Sequence, residues 1–549
     1  MHRSFLLLVA VFFVILRTSV AQDISKLGRP CTEERQRANC GESLVCLNST
    51  CSYCTQNEQC RSIHVVDICQ KYFFKNKTTN QITSPGGICT HKPLFPNINL
   101  YDILSTLFTF LAGVISSGGG IGGGGLFIPI LTSAGQFAAH LAVPISITMI
   151  FGASLMTFFI QAFQRHPKAD RPLIDYQVCL LLEPATLAGT VIGVFFNVMF
   201  PGWLILMLVL LLLIVTDYRM FKKAIEEWKK EGEEAKLNVP LDRNSETAPL
   251  VGTSDDSDDE ELSANQENIL DEDGRDAKAP PKSPTGQYSG IETPDPDVDA
   301  TTGVAANRSA ELEEILKSES GTPWFTLLVL VTCWVVIFLI SLFKGAHGAP
   351  SVVNVEHCSP WYWFLSVIIF PIVFVMTFLI GWYLVRSHRR KSELNYSFHK
   401  GDVQYTAFNV FWYPLLCVFA GVMASLVGIG GGMIKSPLLM ELGVPPSVAG
   451  ASASFMILFT SSISTVQFII LGLLPWDYGL WFAANGFIAG LIGTLLIAHL
   501  VKKYNKQSII VFSVAVAIAF AIVLMFGVGL YGVIRDIQDG VYMGFRKPC

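Results

Sequence analysis

The chain has 549 residues, of which 51% are hydrophobic and 15% charged, and its mean hydropathy is +0.46. Soluble domains carry about 25% charged residues, so this composition excludes an ordinary soluble protein. Apolar runs of about twenty residues recur along the chain, which is typical of helices that cross a bilayer. The net charge of -5 conceals a strongly uneven distribution of acidic and basic residues.

Residues 1–21 are predicted to be a secretory signal peptide. His2 and Arg3 precede an apolar stretch over residues 5–16, and small residues end at Ala21, where cleavage is expected. Because Arg17 interrupts the pattern late, an uncleaved signal anchor is the alternative. Either way, the segment that follows is expected to begin outside the cytosol.

Residues 22–98 are predicted to form a small cysteine-rich extracellular or lumenal domain. An even number of cysteines behind a signal peptide indicates disulfides, and eight cysteines allow 105 pairings. No pairing is therefore assigned. Zinc is the alternative, because Cys51 and Cys54 have the spacing of metal ligands. The eight cysteines are Cys31, Cys40, Cys46, Cys51, Cys54, Cys60, Cys69 and Cys89.

Two sequons in the same segment predict glycosylation. Asn48 and Asn76 each stand two residues before a threonine, as the acceptor motif requires. Glycans would fit an exposed domain outside the cytosol.

The rest of the chain divides into two apolar blocks joined by a hydrophilic insert and a linking region. The predicted divisions are a first transmembrane repeat (99–218), an acidic loop (219–322), two linking helices with a basic loop (323–407), a second repeat (408–533) and a C-terminal tail (534–549). The apolar segments lie near 99–118, 124–137, 141–163, 173–198, 203–218, 323–343, 361–385, 408–428, 432–443, 447–473, 479–500 and 508–533.

The acidic loop is predicted to be disordered and cytosolic. Residues 231–320 contain 24 Asp/Glu and 7 Lys/Arg, a net charge of -17, so the rest of the chain carries about +12. Ser257 precedes an acidic run, and Ser283 and Thr293 each precede proline, so kinases are predicted as partners of this loop. For each single site, a plain solvated linker is the alternative.

The basic residues predict the topology, because short cytosolic loops are enriched in Lys and Arg. With every apolar segment counted as a crossing, four basic clusters fall on the cytosolic side and both mature ends fall outside. Treating 124–137 and 432–443 as re-entrant loops would put the first two clusters outside. The clusters lie at 165–171, 219–223, 386–391 and 502–506.

The two blocks contain a repeated motif. Residues 112–131 read AGVISSGGGIGGGGLFIPIL, and residues 420–439 read AGVMASLVGIGGGMIKSPLL. A constant offset of 308 pairs Gly120 with Gly428 and Ser146 with Ser454. By the crossing count, the first copy enters from outside and the second from the cytosol. The fold class predicted is therefore an all-α polytopic membrane protein with two inverted repeats, each carrying a broken helix.

The glycine runs are predicted to break the helices at the substrate site. Each glycine costs about 1 kcal/mol of helix stability relative to alanine, and broken backbone in lipid is tolerated only beside protein or a watery cavity. A short helix after the break directs its positive end and free N–H groups toward an anion. Close helix packing is the alternative for such glycines. The backbone candidates are Gly120, Gly122, Gly123, Gly124, Pro129, Gly428, Gly430, Gly431, Gly432 and Pro437.

The run Gly120-Ile121-Gly122-Gly123-Gly124 with Pro129, and its copy from Gly428 with Pro437, resemble the paired signature of the TauE/SafE sulfite exporter family. The resemblance covers about 100–218 and 405–533. It implies a permease for small anions such as sulfite or sulfonates. The cysteine-rich ectodomain and the acidic insert depart from the compact bacterial pattern and suggest a eukaryotic member.

Several polar residues in the apolar segments are further candidates, because polar groups in the membrane often mark a substrate path. Lys435 is read as a counter-charge for the anion or as a snorkelling residue. Glu183 is read as a proton-coupling group or as half of a structural ion pair. Gln161 and Gln467 lie on equivalent helices, two residues out of register. The serine candidates, whose hydroxyls either bind the anion or bond to backbone, are Ser146, Ser452 and Ser454.

The function predicted is secondary transport of a small anion by alternating access. The alternative is a receptor or sensor on a transporter-derived scaffold. No enzyme activity, cofactor or metal is expected, and the chain lacks a phosphate-loop motif for ATP. The expected partners are the anion and the lipid bilayer, with no nucleic acid. The location predicted is the plasma membrane or an endomembrane.

Overall fold

The fold is known from a computed structural model. It describes residues 27–32, 40, 44–61, 66–75, 82–117, 120, 122–166, 170–237, 311–315, 317, 319, 321, 323–345, 351–353, 355–356, 359–394, 396, 398, 402–504, 506, 508–538 and 544–545. The predicted signal peptide, Asn76, Ser257, Ser283 and Thr293 lie outside these residues. Asn48 is exposed in a turn, which suits a glycan, and its glycosylation stays a prediction.

The ectodomain consists of two antiparallel β-hairpins. Strands β1 (Val45–Leu47) and β2 (Thr50–Ser52) form the first, and β3 (Asp67–Lys75) and β4 (Ile82–His91) form the second. A one-turn helix, α1 (Asn57–Cys60), lies between them. Hairpins this short bury little apolar surface, so a covalent framework has to hold them.

Disulfides supply that framework, and the predicted disulfide domain is confirmed. Cys51 bonds to Cys40 and Cys54 bonds to Cys69, so the two cysteines with ligand spacing have separate partners. The structure thus favours disulfides over zinc. The four bonds are Cys31–Cys46, Cys40–Cys51, Cys54–Cys69 and Cys60–Cys89.

The Cys60–Cys89 bond closes the longest loop, with a sequence separation of 29. Replacing both cysteines by serine is expected to destabilise the ectodomain by about 3–4 kcal/mol, because the unfolded chain regains loop entropy. Limited proteolysis of intact cells would measure the increased cleavage. The same change at Cys31 and Cys46, which closes a loop of 15, should have a smaller effect, and equal cleavage of both variants would contradict this account.

Ten helices of the described residues are long and apolar enough to cross a membrane. Their lengths follow from the uninterrupted apolar runs, because a crossing needs about 20 helical residues. They are α2 (Leu100–Ser117), α4 (Ala139–Gln161), α5 (Tyr176–Met199), α6 (Gly202–Leu237), α7 (Trp324–Lys344), α8 (Pro360–Glu393), α9 (Ala407–Val427), α11 (Pro446–Ile470), α12 (Trp476–Tyr504) and α13 (Ser508–Gln538).

Two further helices are short. They are α3 (Gly124–Ser133) and α10 (Gly432–Glu441), with 10 residues each. At 1.5 Å per residue each is about 15 Å long, half the hydrocarbon thickness of about 30 Å. The segments expected to cross at 124–137 and 432–443 are therefore half-helices, and the glycine break supplies the rest of each passage.

The repeats are α2 to α6 and α9 to α13, and they interlock. Tyr478 at the start of α12 hydrogen-bonds Asp102 at the start of α2, and Asn485 bonds Thr109 one to two turns further along both. Helices α2 and α12 therefore run parallel. Helix α9 is parallel to α5 in the same way, because Gly421 lies against Thr186 and Leu426 accepts a bond from Asn197. The fourth helix of each repeat thus packs beside the first helix of the other.

The ectodomain is attached to one end of this helix bundle, which is called the ectodomain face here. The Lys92 ammonium is hydrogen-bonded to Asp102 at the start of α2, and the Leu94 amide donates to Asp477 at the start of α12. His91 stacks on Phe137, with ring centroids 4.2 Å apart. Phe137 follows the half-helix α3, so α3 returns the chain to the ectodomain face.

The basic loops lie at the opposite face. Arg171, before α5, forms an ion pair with Asp402, before α9. Arg219 on α6 pairs with Glu441, where the half-helix α10 ends, at 3.0 Å. Since α10 returns the chain to the face at which α9 began, the two repeats run in opposite directions, and the inverted arrangement is confirmed.

Helix α6 continues to Leu237, past the predicted start of the acidic loop at 219. Ion pairs within the helix support the extension, with Lys223 and Lys230 3.6 and 3.2 Å from Glu227. Apolar patterning does not detect this segment, because its stability comes from helix-forming charged residues.

Candidate functional site

The glycine runs break the helices through left-handed backbone. In the first run Gly120, Gly122 and Gly123 have φ of 70°, 80° and 79°. In the second run Gly428, Gly430 and Gly431 have φ of 77°, 70° and 76°. A side chain at such φ costs about 1–2 kcal/mol, so the glycines are required here by backbone conformation as well as by space.

Each break ends in an uncapped helix N-terminus. Gly123 and Gly431 occupy the N-cap positions of α3 and α10, and neither helix has a side-chain cap. The first N–H groups of a helix have no partner within it, and the helix dipole adds positive potential there. Pro129 and Pro437 lie inside the half-helices, where each lacks an N–H and leaves the carbonyl four residues earlier without its usual donor.

The two breaks meet inside the protein. A Cβ placed on Gly124 would lie 2.4 Å from the Ile429 Cα and 2.6 Å from the Gly428 carbonyl oxygen. A Cβ on Gly122 or on Gly430 would contact the same side chain, Ile150, at 3.0 and 2.8 Å. Ile150 lies midway along α4, so the meeting point is near the middle of the bundle.

Each break also packs against the third helix of the other repeat. A Cβ on Gly120 would lie 2.2 Å from the carbonyl oxygen of Gly450 on α11. In the other half, a Cβ on Gly428 would approach the Val143 side chain on α4 at 3.0 Å. Each first helix of a repeat thus ends against the third helix of the opposite repeat.

The candidate serines occupy different places. Ser146 donates to the Gly428 carbonyl at 3.0 Å and so ties α4 to the second break. Ser452 accepts the Asp175 N–H at 2.9 Å, at the start of α5. Ser454 is 3% exposed and forms no hydrogen bond within the described part of the chain. Among the described residues, Ser146 is the one of the three serines that forms a hydrogen bond to a glycine run.

Lys435 and Glu183 form a buried ion pair. The Lys435 Nζ is 2.8 Å from the Glu183 carboxylate, and the two side chains are 0% and 1% exposed. Thr460 on α11 completes the cluster: it accepts from Lys435 at 2.7 Å and lies 2.8 Å from the other Glu183 oxygen. Of the two interpretations of Lys435, the snorkelling side chain is wrong, because the Lys435 side chain is buried inside the protein.

The ion-pair cluster joins the two repeats, with Glu183 from the first and Lys435 and Thr460 from the second, and among the described residues it has no copy related by the duplication. At the register of Lys435 the first repeat has Phe127, and at that of Thr460 it has Gly152. Thr460 carries no repeat signal, so sequence reasoning missed it. Ile150 was missed as well, because an isoleucine in an apolar helix has no distinguishing pattern.

Outside the spans, the opposite face has its own polar cluster. Asp175 caps α5, with the N–H groups of Gln177 and Val178 donating to its carboxylate at 3.1 Å. Burial raises the pKa of the Asp175 carboxyl, and these hydrogen bonds partly offset that rise. The cluster positions the start of α5, the helix that carries Glu183.

Two inverted repeats whose uncapped half-helices meet mid-bundle define a polytopic membrane protein of the broken-helix class. Within that class, the sulfite exporter TauE/SafE family model matches residues 105–253 and 360–522, together more than half of the chain. The chain belongs to this family, as its glycine signature predicts.

Similar proteins carry the same family name or are named as membrane transporters. The chain is 31% identical to sulfite exporter TauE/SafE family protein 1 of Arabidopsis thaliana, over 82% of this chain and 89% of the relative. It is 31% identical to family protein 2 of the same plant, over 81% and 87%. It is 30% identical to the probable membrane transporter protein YunE of Bacillus subtilis, over 23% and 50%. No solved structure matches the chain.

The family is one of membrane transporters, which agrees with the predicted integral multi-pass protein and with a non-enzymatic role. The comparisons offer nothing in favour of the receptor alternative.

Proposed function

We propose that this protein is a secondary transporter of small oxyanions, sulfite or organosulfonates, and that it works by alternating access. The observation that carries the proposal is the meeting of two glycine-capped half-helices, α3 and α10, in the middle of the bundle. The names of the family and of its Arabidopsis thaliana members support sulfite as the first substrate to test.

The chemistry of the breaks suits an anion. Two helix N-termini without side-chain caps supply backbone N–H donors and positive potential at one place. These donors lie in buried, closely packed backbone, so little order is lost when the anion binds. Oxyanions with several acceptor oxygens satisfy donors from both half-helices at once.

Alternating access follows from the same arrangement. The described break glycines are buried, so an anion can reach them only when helices separate toward one face. Helix α3 leads to the ectodomain face and α10 to the opposite face. Parting the helices on either side of Ile150 therefore opens the breaks to one face at a time.

Glu183 is the proposed coupling group. An anion at the second break competes with Glu183 for the Lys435 ammonium, and a carboxylate that loses its buried partner binds a proton. One monoanion and one proton would then cross together without net charge. Among the described residues, titratable groups that interact electrostatically with this pair include the buried thiols of Cys179, Cys333 and Cys417.

The internal repeat argues that the pair is not needed for folding alone. The half-helix α3 folds in the same manner with Phe127 where α10 has Lys435. Apolar replacements of buried ion pairs are often neutral or stabilising. Keeping two charges at this depth therefore points to use in transport.

Radiolabelled flux into proteoliposomes tests the function. Sulfite, sulfate, thiosulfate and a sulfonate would be compared, and we expect saturable uptake of sulfite or the sulfonate. Replacing Gly122 or Gly430 by leucine should reduce uptake at least ~10-fold, because each leucine combines left-handed strain with contact against Ile150.

Gly527→Leu is the control, since nothing lies within 4 Å of a Cβ at Gly527. Surface biotinylation would show that all variants reach the membrane. Full uptake by both break variants would overturn the assignment of the site, and no uptake of any of the anions by the native chain would overturn the function.

A further inference from the structure

Thr460 on α11 lies at the centre of the buried ion-pair cluster. Its hydroxyl oxygen is 2.7 Å from the Lys435 Nζ and 2.8 Å from a Glu183 carboxylate oxygen. The same oxygen is 2.8 Å from the Met456 carbonyl, one turn earlier on α11. Thr460 is 1% exposed, so its hydroxyl has to satisfy its hydrogen bonds with these groups.

The hydroxyl can donate in two directions. An ammonium has no acceptor, so Thr460 accepts from Lys435, and its single hydrogen goes either to Glu183 or to the Met456 carbonyl. A bond to the carbonyl four residues earlier is the usual structural role of a threonine in a helix. Hydrogen bonds to charged groups are stronger than neutral ones, so the hydrogen is directed to Glu183 while the carboxylate is ionised.

Glu183 has few partners of its own. Within the part of the chain that the structure describes, its carboxylate forms hydrogen bonds to Lys435 and Thr460 and to no other group. When an anion attracts Lys435 and Glu183 binds a proton, the new O–H needs an acceptor, which an ammonium cannot supply. The titratable groups that face Glu183 from α5, α7 and α9 are thiols, which accept only weakly; they are Cys179, Cys333 and Cys417.

Thr460 can serve both protonation states of Glu183. In the ion pair it accepts from Lys435 and donates to Glu183. After protonation it accepts from the Glu183 O–H and donates to the Met456 carbonyl. The Thr460 oxygen need not move, because both partners already lie 2.8 Å away.

Two serines hold Thr460 in place. The Ser464 hydroxyl donates to the Thr460 carbonyl at 2.9 Å. Its hydrogen is used there, so at 2.7 Å it accepts from Ser425. Ser425 lies on α9, three residues before Gly428. The turn that carries Thr460 is thus tied to the helix leading into the second break and stays in place when the Lys435 side chain turns.

We propose that Thr460 is a positioning residue for proton coupling, whose hydroxyl donates to Glu183 in the ion pair and accepts from Glu183 once it is protonated. The inference rests on the proposed function, because it takes Glu183 as the coupling group. The proton comes from water that enters when the helices part toward one face. It stays on Glu183 during the crossing and returns to water at the other face, when Lys435 pairs with Glu183 again.

The first test is the infrared difference spectrum of the purified full chain on addition of sulfite at fixed pH. We expect the carbonyl band of a protonated carboxyl group, which Glu183→Gln should remove. In Thr460→Val, which has nearly the same shape without the hydroxyl, the band should lie at higher wavenumber, because the Glu183 O–H has lost its acceptor. Thr460→Ser, which restores a hydroxyl, should return the band to its native position.

Sulfite uptake into proteoliposomes is the second test. The half-saturating sulfite concentration of Thr460→Val should rise about 10-fold, equivalent to about 1.4 kcal/mol. The loaded state leaves the Glu183 O–H without an acceptor, whereas the empty state keeps the direct Lys435–Glu183 bond at 2.8 Å. Thr460→Ser should stay close to the native value. All variants are compared at the same pH, because the ionisation of sulfite itself is then common to them.

Thr148→Val is the matched control. Thr148 lies on α4, the equivalent helix of the first repeat, and its hydroxyl is 2.8 Å from the carbonyl four residues earlier, as in Thr460. It is two residues from both Ser146 and Ile150, so it lies on the opposite side of α4 from the breaks. Its infrared band and its uptake should match those of the native chain.

The outcomes separate this role from transport itself. An unmoved band in Thr460→Val, or no carboxyl band in the native chain, would overturn the role of Thr460 even if sulfite is transported. A band that moves as expected in a chain that carries no sulfite across the membrane would support Thr460 and overturn the proposed transport. Thr460→Ala also removes the hydroxyl and carries the same expectations, so the test does not depend on the folding of one variant.

Discussion

Replacing Lys435 by methionine alone is expected to lower the free energy of unfolding by about 3–5 kcal/mol, because it leaves Glu183 buried without its partner. The pair has 0% and 1% exposure, so water cannot replace the lost ammonium without entering the core. Unfolding of the purified protein in mixtures with increasing amounts of a denaturing detergent, followed by tryptophan fluorescence, measures this loss of free energy.

The double variant Lys435→Met with Glu183→Leu is the informative comparison. It removes both charges at similar volume and is expected to unfold within about 1 kcal/mol of the native chain. Thr460 keeps a partner there, because its hydroxyl also lies 2.8 Å from the Met456 carbonyl. A double variant as unstable as the single one would show that the cluster is structural.

The same double variant separates folding from coupling. If Glu183 carries the proton, an imposed pH gradient should drive anion uptake in the native chain and have no effect on the double variant. Uptake that responds equally to the gradient in both proteins would eliminate Glu183 as the coupling group, while leaving the anion site at the breaks intact.

The second large effect is expected when Gly120 is replaced by alanine. This change should reduce the yield of folded protein to near zero and abolish transport. The added Cβ would lie 2.2 Å from the Gly450 carbonyl oxygen, and φ is 70°. Left-handed strain of about 1–2 kcal/mol adds to overpacking of about 1–3 kcal/mol against backbone that cannot rotate away. Size-exclusion yield and sulfite flux measure the two losses.

Two other glycine-to-alanine variants distinguish close packing from left-handed backbone strain as the cause of the loss. Gly124 has no positive φ, yet its Cβ would meet the Ile429 Cα at 2.4 Å, so it tests close approach alone. Gly431 has φ of 76° and its nearest neighbour is the Ala424 Cβ at 3.2 Å, so it tests mainly backbone strain. We expect Gly124→Ala to be the more severe. Gly532→Ala, with nothing within 4 Å, should behave like the native chain.

Local sequence signals were sufficient for much of the architecture. Matched glycine runs at a fixed offset predicted two broken helices, and basic clusters predicted that the repeats are inverted. Both succeed because they follow from the backbone itself: glycine permits left-handed turns wherever it occurs, and lipid allows few ways to satisfy polar backbone.

The features that were missed depend on which distant residues meet. Lys435 and Glu183 are 252 positions apart, and neither position shows that the other lies beside it. The cysteine pairing was equally hidden, because spacing alone does not choose among 105 possibilities. The hydrogen bond of Ser452 was hidden for the same reason: its partner Asp175 lies in the other repeat.

The ectodomain contact at Phe137 has a consequence for a protein assembled from two opposed copies. His91 covers the tip of the first half-helix, whereas the register of Phe137 in the second copy falls on Pro445, at the face without the ectodomain. Under the proposed alternating access, two gates related by the pseudo-two-fold symmetry of the repeats would open with equal barriers, and an ectodomain contact on one gate would make the barriers unequal. The proposed transporter would then act as a kinetic rectifier: the gradient would still decide the net direction of transport, while the anion would load more slowly from one side than from the other.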